Sequence, residues 1–121
     1  MDKEILLKRT KDFSIQVGKL VLQLSNNVLN KNYSHQISRS SSSVGANYRA
    51  ACRAKSTADF INKLKIVEEE LDETMFFLEL LKEFNPDKEK EIINCWKEGN
   101  ELLSIIVASL NTIRSNNQKL K

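Results

Sequence analysis

The sequence predicts an all-α chain folded as an antiparallel, up-down-up-down four-helix bundle. Apolar residues recur at three- and four-residue spacing along most of its length. The 121 residues include only three glycines and one proline, too few for a turn-rich β fold. Only short polar breaks separate the periodic segments, and short connections favour antiparallel neighbours. A chain of 121 residues is expected to form one domain, spanning 1–121, with enough length to bury a core.

The first helix is expected over about residues 2–29, with Leu6, Phe13, Val17, Leu20 and Leu24 on one face. Gly18 inside it costs on the order of 1 kcal/mol against alanine, which suggests close packing there. Asn30, Lys31, Asn32 and Tyr33 read as the first connection. The second helix follows over about 34–54, with Ile37, Ser41, Val44, Tyr48 and Ala51 as its seam. Ser40 to Ser43, Gly45 and Ala46 are poor choices for helix propensity. They make sense where a neighbouring helix comes close, because small side chains shorten the distance between axes.

The third helix is expected over about 56–84, opened by Ser56 as N-cap with Asp59 three residues on, close to a capping box. Its seam is Phe60, Leu64, Val67, Leu71, Thr74, Leu78 and Leu81. A second apolar stripe holds Ile66, Phe77, Leu80 and Phe84. A helix that is apolar on two faces has a second surface to bury, so this stripe is the candidate subunit interface. The fourth helix is expected over about 86–114, with Asn85 as N-cap, Pro86 at the first position and Asp87 in the first turn. Ile92, Trp96, Leu103, Val107 and Leu110 form its seam, leaving Leu102 and Ile105 to extend the interface. The tail over 115–121 has little to bury and is expected to fray.

Charge is unevenly placed. Residues 31–65 hold seven Lys and Arg against Asp59, whereas residues 66–101 hold twelve acids against four Lys. Such asymmetry bears on partners and assembly. Arg39, Arg49 and Arg53 fall together on a helical wheel, and Lys55 and Lys63 follow. This basic set could neutralise the phosphates of RNA or DNA. Its bland alternative is a solvated face, or arginines that pair with an acidic helix of a neighbour. The acids from Glu68 to Glu73 read as a solvated or salt-bridged face.

Catalytic chemistry finds no foothold in the sequence. His35 is the one histidine, and the residue three before it is Asn32, so a bundle di-metal site has no ligand set. No nucleophile stands in a recognisable arrangement with a base, and no phosphate-cradling glycine loop occurs. The expectation is no enzyme activity, no cofactor and no metal. Cys52 and Cys95 are isolated and are expected to be reduced thiols, at least one packed as a small apolar residue. No apolar run is long enough to span a bilayer and the start does not read as a signal peptide, so the expected location is the cytoplasm, away from membranes.

The stretch around the second connection carries a resemblance. Ser43-Val44-Gly45-Ala46-Asn47, Arg53-Ala54-Lys55-Ser56 and Thr57-Ala58-Asp59-Phe60 resemble the signature of the bacterial four-helix-bundle family encoded in intervening sequences of 23S rRNA genes. The likeness runs from about Phe13 to about Ile113 and keeps the helix order. One position departs: many relatives have a glutamate where this chain has Ala50, so no role of that carboxylate carries over. The resemblance implies a compact bundle that assembles with copies of itself, a pentameric ring being favoured. It also implies a likeness to the accessory protein of diversity-generating retroelements, which makes RNA, DNA or a nucleic-acid enzyme the first partner class to test. Asn47, Ser56 and Asp59 are read as structural, with Asn47 bonding toward the start of the third helix. Two functions stay open: a non-enzymatic, ring-forming accessory protein that contacts nucleic acid through Arg39, Arg49, Arg53, Lys55 and Lys63, and a protein-interaction scaffold that binds none.

Overall fold

The computed structural model describes residues 2–119, with side chains for residues 2–116. Four α-helices run in order: α1 (Lys3–Leu22), α2 (Val28–Cys52), α3 (Thr57–Phe84) and α4 (Glu89–Lys119), the last preceded by a 3₁₀ turn (Pro86–Lys88). α1 packs on α2, α2 on α3, α3 on α4 and α4 back on α1, while α1 and α3 do not meet. The chain is therefore an all-α, antiparallel four-helix bundle with α1 and α3 on one diagonal.

The seams of α1, α2 and α3 lie where the spacing places them, except that Leu24 falls past the end of α1 and is, like Phe60, half-buried. Leu6, Phe13, Val17 and Leu20 are buried, as are Ile37, Val44, Tyr48 and Ala51, and Leu64, Val67, Leu71, Leu78 and Leu81. The seam of α4 is rotated from expectation. Ile92, Cys95, Gly99, Leu102, Ile106 and Leu110 face inward, and Trp96, Leu103 and Val107 lie at the border. The reason is Gly99: a Cβ there would stand 3.2 Å from Phe13 Cζ and 3.3 Å from Met75 Cγ, so the missing side chain admits the buried Phe13 ring. Leu102 consequently belongs to the chain's own core and is fully buried, not part of an outer interface.

Two breaks also moved. α1 stops at Leu22, and α2 starts five residues after Gln23, with the Asn27 side chain accepting from Asn30 N–H at 2.9 Å. The segment 30–33, expected as a connection, is helical. Asn30 is buried there because it pairs with Asn85 across the bundle: each amide nitrogen donates to the other's oxygen at 2.8 Å. Asn30 Nδ2 also donates to the Ser25 carbonyl and Asn85 Nδ2 to the Leu81 carbonyl, both at 2.9 Å. Asn85 thus turns inward and does not cap the following turn with its side chain. At the other end, helical backbone continues through Ser115 to Lys119, where fraying was expected, and the rest of that expectation concerns Leu120 and Lys121, which lie outside the described residues.

The small residues of α2 act as close-approach points on both sides. Toward α3, Ser40 Oγ meets Thr74 Oγ1 at 2.7 Å, both fully buried. Toward α1, Ser14 Oγ donates to the Ser41 carbonyl at 2.6 Å, and a Cβ on Gly45 would stand 3.4 Å from Ser14 Oγ. Gly18 differs: among the described residues nothing beyond its own helix lies within 4 Å of its missing Cβ, so no packing seen there requires it. The α1–α4 side is closed by Arg9, which donates to Glu98 at 2.5 and 3.1 Å and lies 3.2 Å from Glu101.

These contacts set measurable outcomes. Asn30→Ala or Asn85→Ala strands a buried amide and is expected to cost about 1–3 kcal/mol in urea unfolding. A double-mutant cycle should show that the two losses do not add. Gly18→Ala should raise stability by about 1 kcal/mol through helix propensity, whereas Gly99→Val should lower it by about 1–3 kcal/mol by overpacking the Phe13 site. Burial pushes the Cys95 thiol up to about 11, while Cys52 is half-buried. The native protein should therefore present one promptly reactive thiol at pH 8, Cys52, with the second released only on unfolding. Because the Cys95 proton is held more tightly in the folded state, stability should fall as pH rises from its unfolded value, about 8.5, toward about 11.

Candidate nucleic-acid and assembly surfaces

The predicted basic set does not form one site. Arg39 lies across the α2–α3 junction and pairs with Glu70 at 3.2 Å and, still closer, with Glu73. These carboxylates raise its pKa, the Glu73 hydrogen bond most of all. Glu70 is itself pushed up, chiefly by burial, with Arg39 opposing. Arg39 is thus an internal clasp for the bundle, since its partners are on α3 of the same chain. Arg49 faces a groove between α1 and α2, in company with Lys8 and Lys11. Arg53 ends α2 and Lys55 lies in the turn to α3, both exposed, and Lys63 stands half-buried further along α3.

That turn is built by local capping. The Ser56 hydroxyl accepts from Asp59 N–H at 3.1 Å, and Asp59 Oδ2 accepts from Lys55 N–H at 3.3 Å, one residue earlier than a capping box would place it. Asn47 bonds neither the turn nor α3: its amide donates to Ser43 Oγ at 2.8 Å and to the Ser43 carbonyl at 2.9 Å on its own helix. The turn, the start of α1 and the far part of α4 enclose a depression of about 640 Å³. Lys3 and Lys55 stand at it, Phe60, Leu64, Ile106 and Ile113 give it an apolar floor, and among the described residues no carboxylate lines it. Tyr48 and Cys52 also reach it, and burial pushes the Tyr48 hydroxyl well above its ordinary value, with Cys52 adding to the shift. Lys3 was missed in the sequence because it is far from the turn along the chain; only the antiparallel path of α1 joins them.

The second apolar stripe of α3 is partly covered from within. Tyr33 of α2 packs on Phe77 and Phe84, with ring centroids 6.2 Å apart in each case. Ile66, Phe77, Leu80 and Ile105 are half-buried and Phe84 is exposed. One residue round the helix lies a more exposed group that sequence reasoning missed: Phe76, edge-on to Phe77 at 5.7 Å and 56% exposed. Its signal was the row Glu69, Asp72, Phe76, Glu79, Glu83, whose alternating three- and four-residue steps mark one outer ridge. Glu79 in that row accepts from the Trp96 indole N–H at 3.2 Å.

The bundle divides charge by helix pair. Residues 2–55, which hold α1 and α2, carry ten Lys and Arg against three acids; residues 56–101, with α3 and the first part of α4, carry six against thirteen. Among the described residues no cluster of potential metal ligands is gathered and no helix is long and apolar enough to cross a membrane.

No curated protein matches this chain. A solved structure does: a protein of unknown function from the S23 ribosomal protein family of Bacteroides thetaiotaomicron is 30% identical, with a TM-score of 0.80 over 92% of this chain and 99% of that one. The family model described as the 23S rRNA-intervening sequence protein matches residues 2–108, which take in α1, α2, α3 and most of α4. The chain belongs to the family of 23S rRNA-intervening sequence proteins.

Proposed function

We propose that this chain is a non-enzymatic, cytoplasmic protein that assembles with copies of itself and contacts RNA or DNA through the basic end of the bundle. The observation that supports this reading most is the depression at the α2–α3 turn, where Lys3 and Lys55 from distant parts of the sequence meet beside Arg53 with no lining carboxylate. Cations free of internal partners can neutralise phosphates and release counterions, which ties affinity to salt. Arg39, engaged by Glu70 and Glu73, drops out of the contact set. Lys63, half-buried further along α3, is not among the residues that line the depression. A homo-oligomer, with five copies favoured by the family resemblance, would repeat this end around an axis and gain by multivalency. The scaffold reading is the alternative, and the Arg39 clasp favours it to the extent that it shows an arginine spent on structure.

Anisotropy titrations with a labelled, mixed-sequence single-stranded RNA at two salt concentrations test the reading. Lys3→Glu, Arg53→Glu and Lys55→Glu combined should lower affinity at least tenfold. Three lost contacts should also flatten the log–log salt slope by about 2, at about 0.7 per phosphate. Arg39→Ala should lower the thermal midpoint and leave RNA affinity unchanged. If the unmodified protein binds no RNA at physiological salt, the scaffold reading replaces this one.

A further inference from the structure

The groove between α1 and α2 has a floor of small residues, Ser14, Ser42, Gly45 and Ala46, with Leu7 beside them, and a rim bearing Lys8, Lys11 and Arg49 with one acid, Glu4; its volume is about 560 Å³. Lys8 is held by Asp12, so Lys11 and Arg49 against the single carboxylate of Glu4 leave the groove net positive. Along α1 the same line continues through Ile15, Gly18 and Leu22, at steps of four, three and four residues from Lys11. Ile15 is 46% and Leu22 87% exposed, and the space over Gly18 is open. A helix interior glycine with no neighbour inside the chain, flanked by exposed apolar residues and a small-residue floor, describes a face shaped for another helix. Phosphate groups would need the rim but not this apolar line.

The same chain displays the complement. On α3, Phe76 projects from a ridge whose other members, Glu69, Asp72, Glu79 and Glu83, are all acidic and exposed. α1 and α3 lie on a diagonal of the bundle without close backbone contact, so the outward ridge of α3 does not face the groove of its own chain. We infer that the α3 ridge of one copy seats in the α1–α2 groove of the next, with Phe76 over the small-residue floor and Glu69 and Asp72 facing Lys11 and Arg49. The occupant of the groove is thus a second copy of this chain. The contact is heterologous, joining two different surfaces, so it propagates and closes into a ring when its rotation permits. This inference rests on the homo-oligomer reading above and gives Arg49 to assembly, away from nucleic acid.

Light scattering on the full chain tests it by charge exchange. Lys11→Glu with Arg49→Glu, and separately Glu69→Lys with Asp72→Lys, should each reduce the assembled mass to that of one chain, with helicity by circular dichroism retained. All four substitutions in one chain restore opposite charges and should recover the mass of the unmodified assembly. If the double variants keep that mass while the unmodified protein is assembled, the groove–ridge contact is wrong and self-assembly stands. If the unmodified protein is a single chain at every concentration, both fall. Loss of RNA binding without change of mass would make the groove a phosphate site and overturn the inference.

Discussion

The close approach of α2 to both its neighbours is the constraint on which the bundle depends. Ser40 bonds Thr74 on α3, Ser41 takes a hydrogen bond from Ser14 on α1, and Gly45 leaves no side chain between the α1 and α2 backbones. Larger residues at these positions would force the axes apart and open the core. The serines lose helix propensity, but their hydroxyls are satisfied inside the bundle, and no buried side-chain polar atom among the described residues lacks a partner. Satisfied polar contacts of this kind fix which surfaces meet, where an all-leucine seam would tolerate several registers. The Asn30–Asn85 amide pair performs the same service at the end where α2 begins and α3 stops.

That tight packing also decides what the surface can do. With Arg39 clasped to Glu70 and Glu73, and Arg9 to Glu98 and Glu101, two arginines serve contacts between helices. Of the other cations, Lys8, Lys11 and Arg49 line the groove of α1 and α2, and Lys3, Arg53 and Lys55 stand at the end where α2 turns into α3. Exposed acids collect on α3 around Phe76. In the assembly proposed above, the basic groove of one copy would meet the acidic ridge of the next, beyond the pairs that Arg39 and Arg9 make within the chain.

Much of the fold was legible from periodicity. The α3 seam is long, strongly apolar and bordered by charge, and its register admits one solution. On α4 two stripes compete, Ile92-Cys95-Gly99-Leu102-Ile106 against Ile92-Trp96-Leu103-Val107, and hydrophobicity favours the wrong one. A glycine that makes room for Phe13 decides between them, and that is a tertiary fact. The first connection was displaced for a similar reason: asparagines crowd residues 26–32, and the partner for Asn30 lies 55 residues away. Of the candidate surfaces, Arg53 and Lys55 could be read locally, whereas Lys3, Lys8 and Lys11 join them or Arg49 only through the antiparallel return of the chain. Arg39 was legible as a cation and illegible as a clasp, since Glu70 and Glu73 reach it only across a helix junction.

The central claim is that the sides of the bundle serve self-association and its α2–α3 end serves nucleic acid. Hydroxyl-radical footprinting of the full chain, diluted, concentrated, and concentrated with RNA, tests this most directly because it reads side-chain exposure residue by residue. Concentration should shield Phe76, Ile15 and Leu22, and RNA should then shield Phe60 and Ile113 at the end depression with no further change at Phe76. Protection by RNA at Ile15 and Leu22 in the dilute protein, with Phe76 labelled equally at all concentrations, would contradict it.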